Sequence, residues 1–290
     1  MSFINSITEK REFATLPTVV ERVLQLLEND DADLREVARI IEADPSLTLK
    51  IIRVANTPIF GLRSEVVSVH QAITALGLTR IVNIVLGVAL FSRFVAASQS
   101  ETTALMQKFW WHSACTAVVA KSFTKKLGLN FKEFEFLGGL LHDFGKLAMI
   151  QYDASLYQSM VEMVHNEQIR DVDAEVKVFG ADHHEAGRLV AQIWKLPAEL
   201  QSIIIHHSHP ETLGSYRELT AVVRLADIMC EIWGAGVDEG IESVDLAEEP
   251  SWKLLCVSYP KFSELDLEKF TFELEEDFGN ASGFLQAVMQ

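Results

Sequence analysis

Residues 138–150 read GGLLHDFGKLAMI and place His142, Asp143 and Lys146 within an otherwise apolar run. Burying an imidazole beside a carboxylate costs free energy unless some partner satisfies both groups. One such pair is weak evidence of a functional site, because a single histidine on an apolar helix is more often hydrogen-bonded within a core. The segment becomes informative only if the same residue types recur elsewhere in the chain.

The combination does recur, at four further positions. Each segment places histidine or aspartate beside an apolar helical stretch: FWWHSA with His112, DHHEAG with His183 and His184, IIIHH with His206 and His207, and LADIM with Asp227. Each segment alone is compatible with a helix cap or a core hydrogen bond. We find no lysine or arginine spaced to neutralise the aspartates locally, so a metal centre explains the five segments together.

The residue types indicate which metals such a centre would bind. Imidazole and carboxylate groups suit Zn²⁺, Mn²⁺ and Fe²⁺, and no thiolate lies within these segments. The histidines and aspartates exceed what one ion needs. Two ions about 3.5–4 Å apart, bridged by an aspartate, would use them all and would stabilise the attacking and leaving oxygens of a phosphoryl group.

Helices must position these side chains, because helical signals dominate the sequence. Asp44-Pro45 and Ser68-Val-His-Gln71 are typical helix starts, and apolar residues follow at spacings of three and four. No set of alternating strands joined by tight turns is evident. The pattern predicts an all-α protein. Residues 68–87 resemble a helix-turn-helix, but the second helix offers only Arg80 and Asn83 among apolar residues, which favours two packed core helices.

Composition excludes several classes of partner. The 290 residues contain 25 lysines and arginines against 41 acidic residues, a net charge of −16 that repels phosphate backbones and anionic lipids. The three cysteines are widely separated, which suits a reducing cytosol. The start of the chain does not resemble a signal peptide, and the most apolar run, residues 81–91, is too short to span a bilayer. We expect a cytoplasmic protein that binds neither nucleic acid nor membranes.

A family resemblance covers roughly residues 14–210. The motifs that carry it are, in order, LPTVVERVLQLL, IIEADPSLTLKIIRVANT, SVHQAITALG, FWWHSA, LGGLLHDFGKLAM, DHHEAG, IWKLP and IIIHHSHP. The chain resembles the HD superfamily of metal-dependent phosphohydrolases and, more narrowly, its HDOD branch of bacterial signalling proteins. The resemblance implies a two-lobed helical protein. An HDOD domain at 10–210 would consist of an N-terminal helical lobe (about 10–100) and an HD-like lobe (101–210), and a helical extension at 211–290 would complete the HD lobe.

The resemblance also implies roles for individual residues. Seven residues would bind metal, with Asp143 bridging: His112, His142, Asp143, His183, His206, His207 and Asp227. Of the adjacent histidines, His183 fits the family spacing better than His184, because Gly187 lies four residues after it. Asp143 and Lys146 would be catalytic, with Lys146 placed where a phosphate oxygen approaches.

Two functions follow from these expectations. HDOD domains are regarded as regulatory modules, so the first function is that of a bacterial signal-transduction protein. This protein would have an intact HD-type site that holds two divalent ions (Fe, Mn or Zn), and it would act through a protein partner. The second is a metal-dependent phosphohydrolase or phosphodiesterase acting on a phosphate-containing small molecule such as a nucleotide. The GYP signature of cyclic-di-GMP phosphodiesterases is absent after His207, which speaks against that substrate. The net charge disfavours a third function, DNA binding.

Overall fold

The computed structural model describes residues 2–9, 16–27, 34–96, 103–237, 241 and 243–289. Across these ranges the regular structure is helical and no β-strand forms, which confirms the predicted all-α fold. The helices are α1 (Phe3–Glu9), α2 (Thr18–Leu27), α3 (Leu34–Glu42), α4 (Pro45–Ala55), α5 (Val69–Leu76), α6 (Leu78–Ala96), α7 (Thr103–Leu127), α8 (Phe134–Leu141), α9 (Phe144–Tyr152), α10 (Ala154–Glu167), α11 (Asp171–Phe179), α12 (His183–Ile193), α13 (Ala198–His206), α14 (Arg217–Cys230), α15 (Pro250–Ser258), α16 (Leu267–Phe278) and α17 (Ala281–Met289). Short 3₁₀ turns lie at Pro58–Phe60, Pro210–Thr212 and Pro260–Glu264, and a π-helical turn lies at Glu231–Ala235.

The helices group into two compact units. Unit 1 contains α1 and α7–α16, and unit 2 contains α2–α6 and α17. The extension predicted over residues 211–290 therefore falls in both units: its helices α14–α16 group with unit 1, and its last helix, α17, groups with unit 2. There the ring of Phe284 packs edge-on against Phe91 with their centroids 6.3 Å apart. The predicted limits of the HDOD domain and its lobes stay a prediction.

Unit 2 begins helices where the capping residues predict them. Asp44 accepts the backbone N–H three residues ahead at the start of α4, and Ser68 does the same at the start of α5. The segment 68–87 forms α5 and part of α6. Asn83 is only 2% exposed, so this side chain lies within the core of unit 2 and is not available to contact DNA bases.

The core of unit 1 contains stretches of three helices that are buried on all sides. Residues 112–120 of α7 and residues 135–150, which run through α8 and α9, are all buried. Helix α7 packs against α8, α14 and α16. A helix that is apolar all round belongs in the centre of a protein. The motif GGLLHDFGKLAMI therefore lies at the centre of unit 1, and its polar side chains are enclosed.

Two glycines allow these helices to approach each other closely. A Cβ atom on Gly139 of α8 would lie 2.7 Å from the backbone of Ala117 in α7. A Cβ atom on Gly145 of α9 would lie 1.9 Å from the carbonyl oxygen of His183 at the start of α12. Both contacts are shorter than van der Waals packing permits, so only glycine fits at these crossings.

Within the described part of the chain, no helix has the length and apolar character needed to cross a bilayer.

Candidate metal centre

Five helical segments of unit 1 position the predicted side chains next to one another. His112 lies in the middle of α7, and His142 and Asp143 form the junction between α8 and α9. His183 is the first residue of α12, His207 directly follows α13, and Asp227 lies in the last turn of α14. Their side chains are at most 1% exposed.

The first group of ligand atoms surrounds a single point. The Nε2 atom of His112 lies 3.2 Å from Nε2 of His142 and 3.2 Å from Oδ1 of Asp227. His142 Nε2 lies 3.4 Å from the same Asp227 oxygen and 3.5 Å from Oδ2 of Asp143. This arrangement of two imidazole nitrogens and two carboxylate oxygens matches the donor set of a divalent transition-metal ion.

The second group uses the other oxygen of Asp143. Its Oδ1 atom lies 3.5 Å from Nε2 of His207 and 3.8 Å from Nε2 of His183. One ring nitrogen from each of His183, His184 and His207 lies within 4.8 Å of the others. Because Asp143 offers one oxygen to each group, it lies between two potential ion positions.

In four of the imidazoles, Nδ1 is held by an oxygen acceptor. The pairs are His112 Nδ1 with the Ala235 carbonyl (3.1 Å), His142 Nδ1 with the Gly139 carbonyl (2.9 Å), His183 Nδ1 with the Glu175 carboxylate (2.8 Å) and His207 Nδ1 with the Ile203 carbonyl (3.2 Å). Since these oxygens only accept hydrogen bonds, Nδ1 is the protonated nitrogen of each neutral ring. Each Nε2 lone pair therefore faces the cluster, as metal-binding histidines require.

Several inward-facing atoms of the cluster have no hydrogen-bond partner. Within the described residues they are Oδ1 of Asp143, Oδ1 of Asp227, Nε2 of His183, Nε2 of His207 and Nδ1 of His184, whereas Oδ2 of Asp143 faces the ammonium group of Lys146 at 3.2 Å. Each such buried group costs about 1–3 kcal/mol. A divalent cation satisfies nitrogen and carboxylate atoms simultaneously, so the donor set present here fits a metal ion.

The carboxylates strongly change the acid–base properties of the cluster. Burial lowers the pKa of His112, but the adjacent Asp227 carboxylate outweighs burial and raises this pKa to about 9. Burial likewise opposes protonation of His183, yet the charge of Glu175 raises its pKa to about 10. Burial would raise the pKa of Asp143, but the charges of His142 and Lys146 hold it well below its usual range. Without a metal ion, His112 and His183 therefore carry protons at neutral pH.

A comparison with models of protein families identifies the family of this chain. The profile of the HDOD domain matches residues 13–210, which is more than half of the chain. The chain belongs to the HDOD domain family. The motifs that supply His112, His142, Asp143, His183 and His207 all lie within the HDOD match, whereas Asp227 lies beyond its end.

One curated protein and several solved structures are similar to this chain. The chain is 22% identical over 215 residues to an uncharacterized protein of Treponema pallidum (strain Nichols), covering 73% of this chain and 41% of that protein. The chain thus spans less than half the length of that curated relative. The crystal structure of an HDOD domain protein of unknown function from Geobacter sulfurreducens superimposes with a TM-score of 0.76 at 24% identity, covering 93% of this chain and 92% of that one. A "Putative signal transduction protein" from Marinobacter aquaeolei VT8 gives a TM-score of 0.68 at 20% identity, covering 95% and 60%. At these identities the likeness establishes the helical fold.

The cluster contains six of the seven predicted ligands, and His206 is the one that lies outside it. His206 directly precedes His207, and successive residues on a helix point about 100° apart. With His207 facing Asp143, the side chain of His206 faces away, is partly exposed and belongs to none of the ligand groups. His184 contributes a ring nitrogen to the second group instead, and its ring centroid lies 4.7 Å from that of His207.

Sequence reasoning missed two acidic residues on α11. Glu175 orients His183, and Oδ2 of Asp171 lies 4.0 Å from Nδ1 of the same histidine. Asp171 and Glu175 are four residues apart and so share one face of α11. That spacing is visible in DVDAEVKVF, but nothing local to this segment indicates which other helix the face contacts.

The expectation that no basic residue neutralises the aspartates was wrong. Arg224 donates from Nη1 to Oδ2 of Asp227 at 2.8 Å. The ammonium group of Lys146 lies 3.2 Å from Oδ2 of Asp143. Each basic residue is three positions from its aspartate, a spacing that brings side chains together on a helix.

Proposed function

We propose that this HDOD protein is a bacterial cytoplasmic signal-transduction protein whose unit 1 binds two divalent ions of iron, manganese or zinc and acts through a protein partner. The observation that carries the proposal is the convergence of imidazole Nε2 atoms and carboxylate oxygens, most of which lack a hydrogen-bond partner outside the cluster. The ligands would be His112, His142, Asp143 and Asp227 in the first group and Asp143, His183, His184 and His207 in the second. The HDOD match supports the signalling role.

The enclosure of the cluster favours regulation over catalysis. Asp143 and His207, which a phosphoester would need to approach, are at most 1% exposed. Lys146, predicted to contact a phosphate oxygen, is 1% exposed and pairs with two carboxylates. In this conformation no substrate reaches these atoms.

The protein's own residues would couple metal binding to helix packing. A bound divalent ion would supply positive charge that joins donors from α7, the α8–α9 junction, α12, α13 and α14. The carbonyls of Gly139, Ile203 and Ala235 fix the imidazole orientations, so loss of the ligand arrangement disturbs the helices that provide these carbonyls. Metal binding would thereby change how stably these helices pack against one another. A protein partner that contacts these helices could respond to that change.

Phosphohydrolase activity is the second candidate, and one feature favours it. Asp143 divides its two oxygens between the ligand groups, as a residue bridging two catalytic ions does. In this candidate, Asp143 would hold both ions and Lys146 would have to leave Asp171 to offset charge on a phosphate.

A panel of phosphoesters separates the two functions. We expect protein loaded with Mn²⁺ or Fe²⁺ to hydrolyse nucleotides and p-nitrophenyl phosphates no faster than the Asp143→Asn variant, because the cluster is enclosed. Release of inorganic phosphate or p-nitrophenol measures the rates. Metal-dependent turnover that Asp143→Asn abolishes would contradict the regulatory proposal and support the hydrolase.

A further inference from the structure

Lys146 has surroundings that its predicted role does not explain. Its side chain is 1% exposed, and its Nζ atom lies 3.2 Å from Oδ2 of Asp143 and 3.1 Å from Oδ2 of Asp171. A buried ammonium group needs close carboxylate partners to offset its loss of hydration. Lys146 is therefore fixed between a residue of the metal cluster and a residue of α11, and it does not face solvent.

The ammonium group contacts an oxygen that the first ion position also needs. Oδ2 of Asp143 is the oxygen that faces Nε2 of His142 at 3.5 Å and Nε2 of His112 at 3.7 Å. A metal ion held by these imidazoles would bind the same oxygen. Two cations that share one carboxylate oxygen repel each other, and burial strengthens the repulsion because little water screens it.

We propose that Lys146 is an internal counter-cation that competes with the metal ion for Asp143, and that Asp171 sets how strongly it competes. This inference rests on the proposed metal-binding function. Asp171 holds the ammonium group when a metal ion takes Asp143, so metal binding would be accompanied by transfer of Lys146 from two carboxylates to one. The competition weakens metal affinity and makes the site reversible, as a sensor of metal availability requires.

Other roles for Lys146 predict different changes in metal affinity. If Lys146 only contacts phosphate, its replacement leaves the affinity for metal alone unchanged. If Lys146 only supports the fold, its replacement distorts the cluster and weakens metal binding. Competition alone predicts that loss of the positive charge tightens binding, so the direction of the change distinguishes the three roles.

The test is calorimetric titration of the chelator-stripped full chain with Mn²⁺ alone. We expect the Kd of Lys146→Met to be at least tenfold lower than that of the wild type. Asp171→Asn should raise Kd about tenfold, because Lys146 is then left to pair with Asp143. The double variant Lys146→Met/Asp171→Asn should bind Mn²⁺ as tightly as Lys146→Met, because Asp171 acts on the site through Lys146.

Lys121 provides a matched control in the same unit. Its ammonium group also pairs with two buried carboxylates, those of Glu133 and Glu135, and it lies nine residues from His112 along α7. Lys121→Met should lower the melting temperature and leave the Kd for Mn²⁺ unchanged. This control separates loss of a buried ion pair from loss of competition at Asp143.

The outcomes identify which claim fails. If the wild type binds Mn²⁺ and Lys146→Met binds it equally or more weakly, the competition is refuted while the metal centre stands. If the wild type does not bind Mn²⁺, Fe²⁺ or Zn²⁺, the proposed function itself fails. Should Lys146→Met not fold, Lys146→Gln removes the charge but keeps a donor for Asp171, and the same decrease in Kd is expected.

Discussion

Gly145→Ala should destabilise unit 1 by about 3 kcal/mol and separate the residues of the second ligand group from one another. The added methyl group would lie 1.9 Å from the carbonyl oxygen of His183 and 2.9 Å from the backbone nitrogen of Gly187. Both neighbours are backbone atoms, so no side-chain rotation relieves the overlap and α9 must move away from α12. Movement of α12 carries His183 and His184 away from Asp143.

The measurement is thermal unfolding together with the number of Mn²⁺ ions bound per chain. Gly145→Ala should bind fewer ions than the wild type, because the first group does not depend on α12. Gly214→Ala is the control, since a Cβ atom at Gly214 meets no atom within 4 Å. Unchanged stability and stoichiometry in Gly145→Ala would show that the close crossing of α9 and α12 is not required.

His142→Ala combined with Asp143→Ala should abolish metal binding and the stabilisation that metal provides. Asp143 contributes an oxygen to each ligand group, and His142 belongs to the first. In the wild type, metal at 100 times its Kd should add about 2.7 kcal/mol to the free energy of unfolding. For a protein of this size that corresponds to a rise in Tm of about 4–5 °C. The double variant should show no rise, and elemental analysis should find no metal.

The rise in Tm should depend on pH in a defined direction. The raised pKa values of His112 and His183, about 9 and about 10, mean that protonation stabilises the metal-free fold. This stabilisation is complete below the ordinary histidine pKa of about 6.5 and is lost as the pH rises through the raised values. The same rise in pH frees both imidazoles for metal. The difference in Tm between Mn²⁺-loaded and EDTA-treated protein should therefore widen from pH 6.5 to pH 9.

His165→Ala is the control for these measurements. His165 is exposed on α10 and belongs to none of the ligand groups. This variant should retain the metal content and the pH-dependent rise in Tm of the wild type. Metal that persists in the His142→Ala/Asp143→Ala variant, or a rise in Tm that shrinks with pH, would place the metal elsewhere.

Local patterns in the sequence were sufficient to predict the helical fold and most residues of the cluster. Capping residues such as Asp44 and Ser68 act over three positions, so their helix starts can be read from the sequence directly. Histidines and aspartates in apolar helices stand out because burial without a partner is costly. These signals require no knowledge of which helices touch.

Features that depend on helix rotation and crossing could not be read in this way. The choice between His206 and His207 depends on how α13 is rotated about its axis, and neighbouring residues of one type leave that rotation open. The pairing of Lys146 with Asp171 joins two helices separated by α10, so spacing along the chain does not reveal it. The same limit applies to α17, whose grouping with unit 2 follows from packing over nearly 200 positions between Phe91 and Phe284.

X-ray diffraction from crystals of the metal-loaded protein, recorded at the absorption edge of the bound metal, tests the central claim most directly. We predict an anomalous density peak bounded by His112, His142, Asp143 and Asp227, with a second between Asp143, His183, His184 and His207. A map with no peak at either position, in crystals whose metal content is established by fluorescence, would contradict the assignment of these residues as ligands.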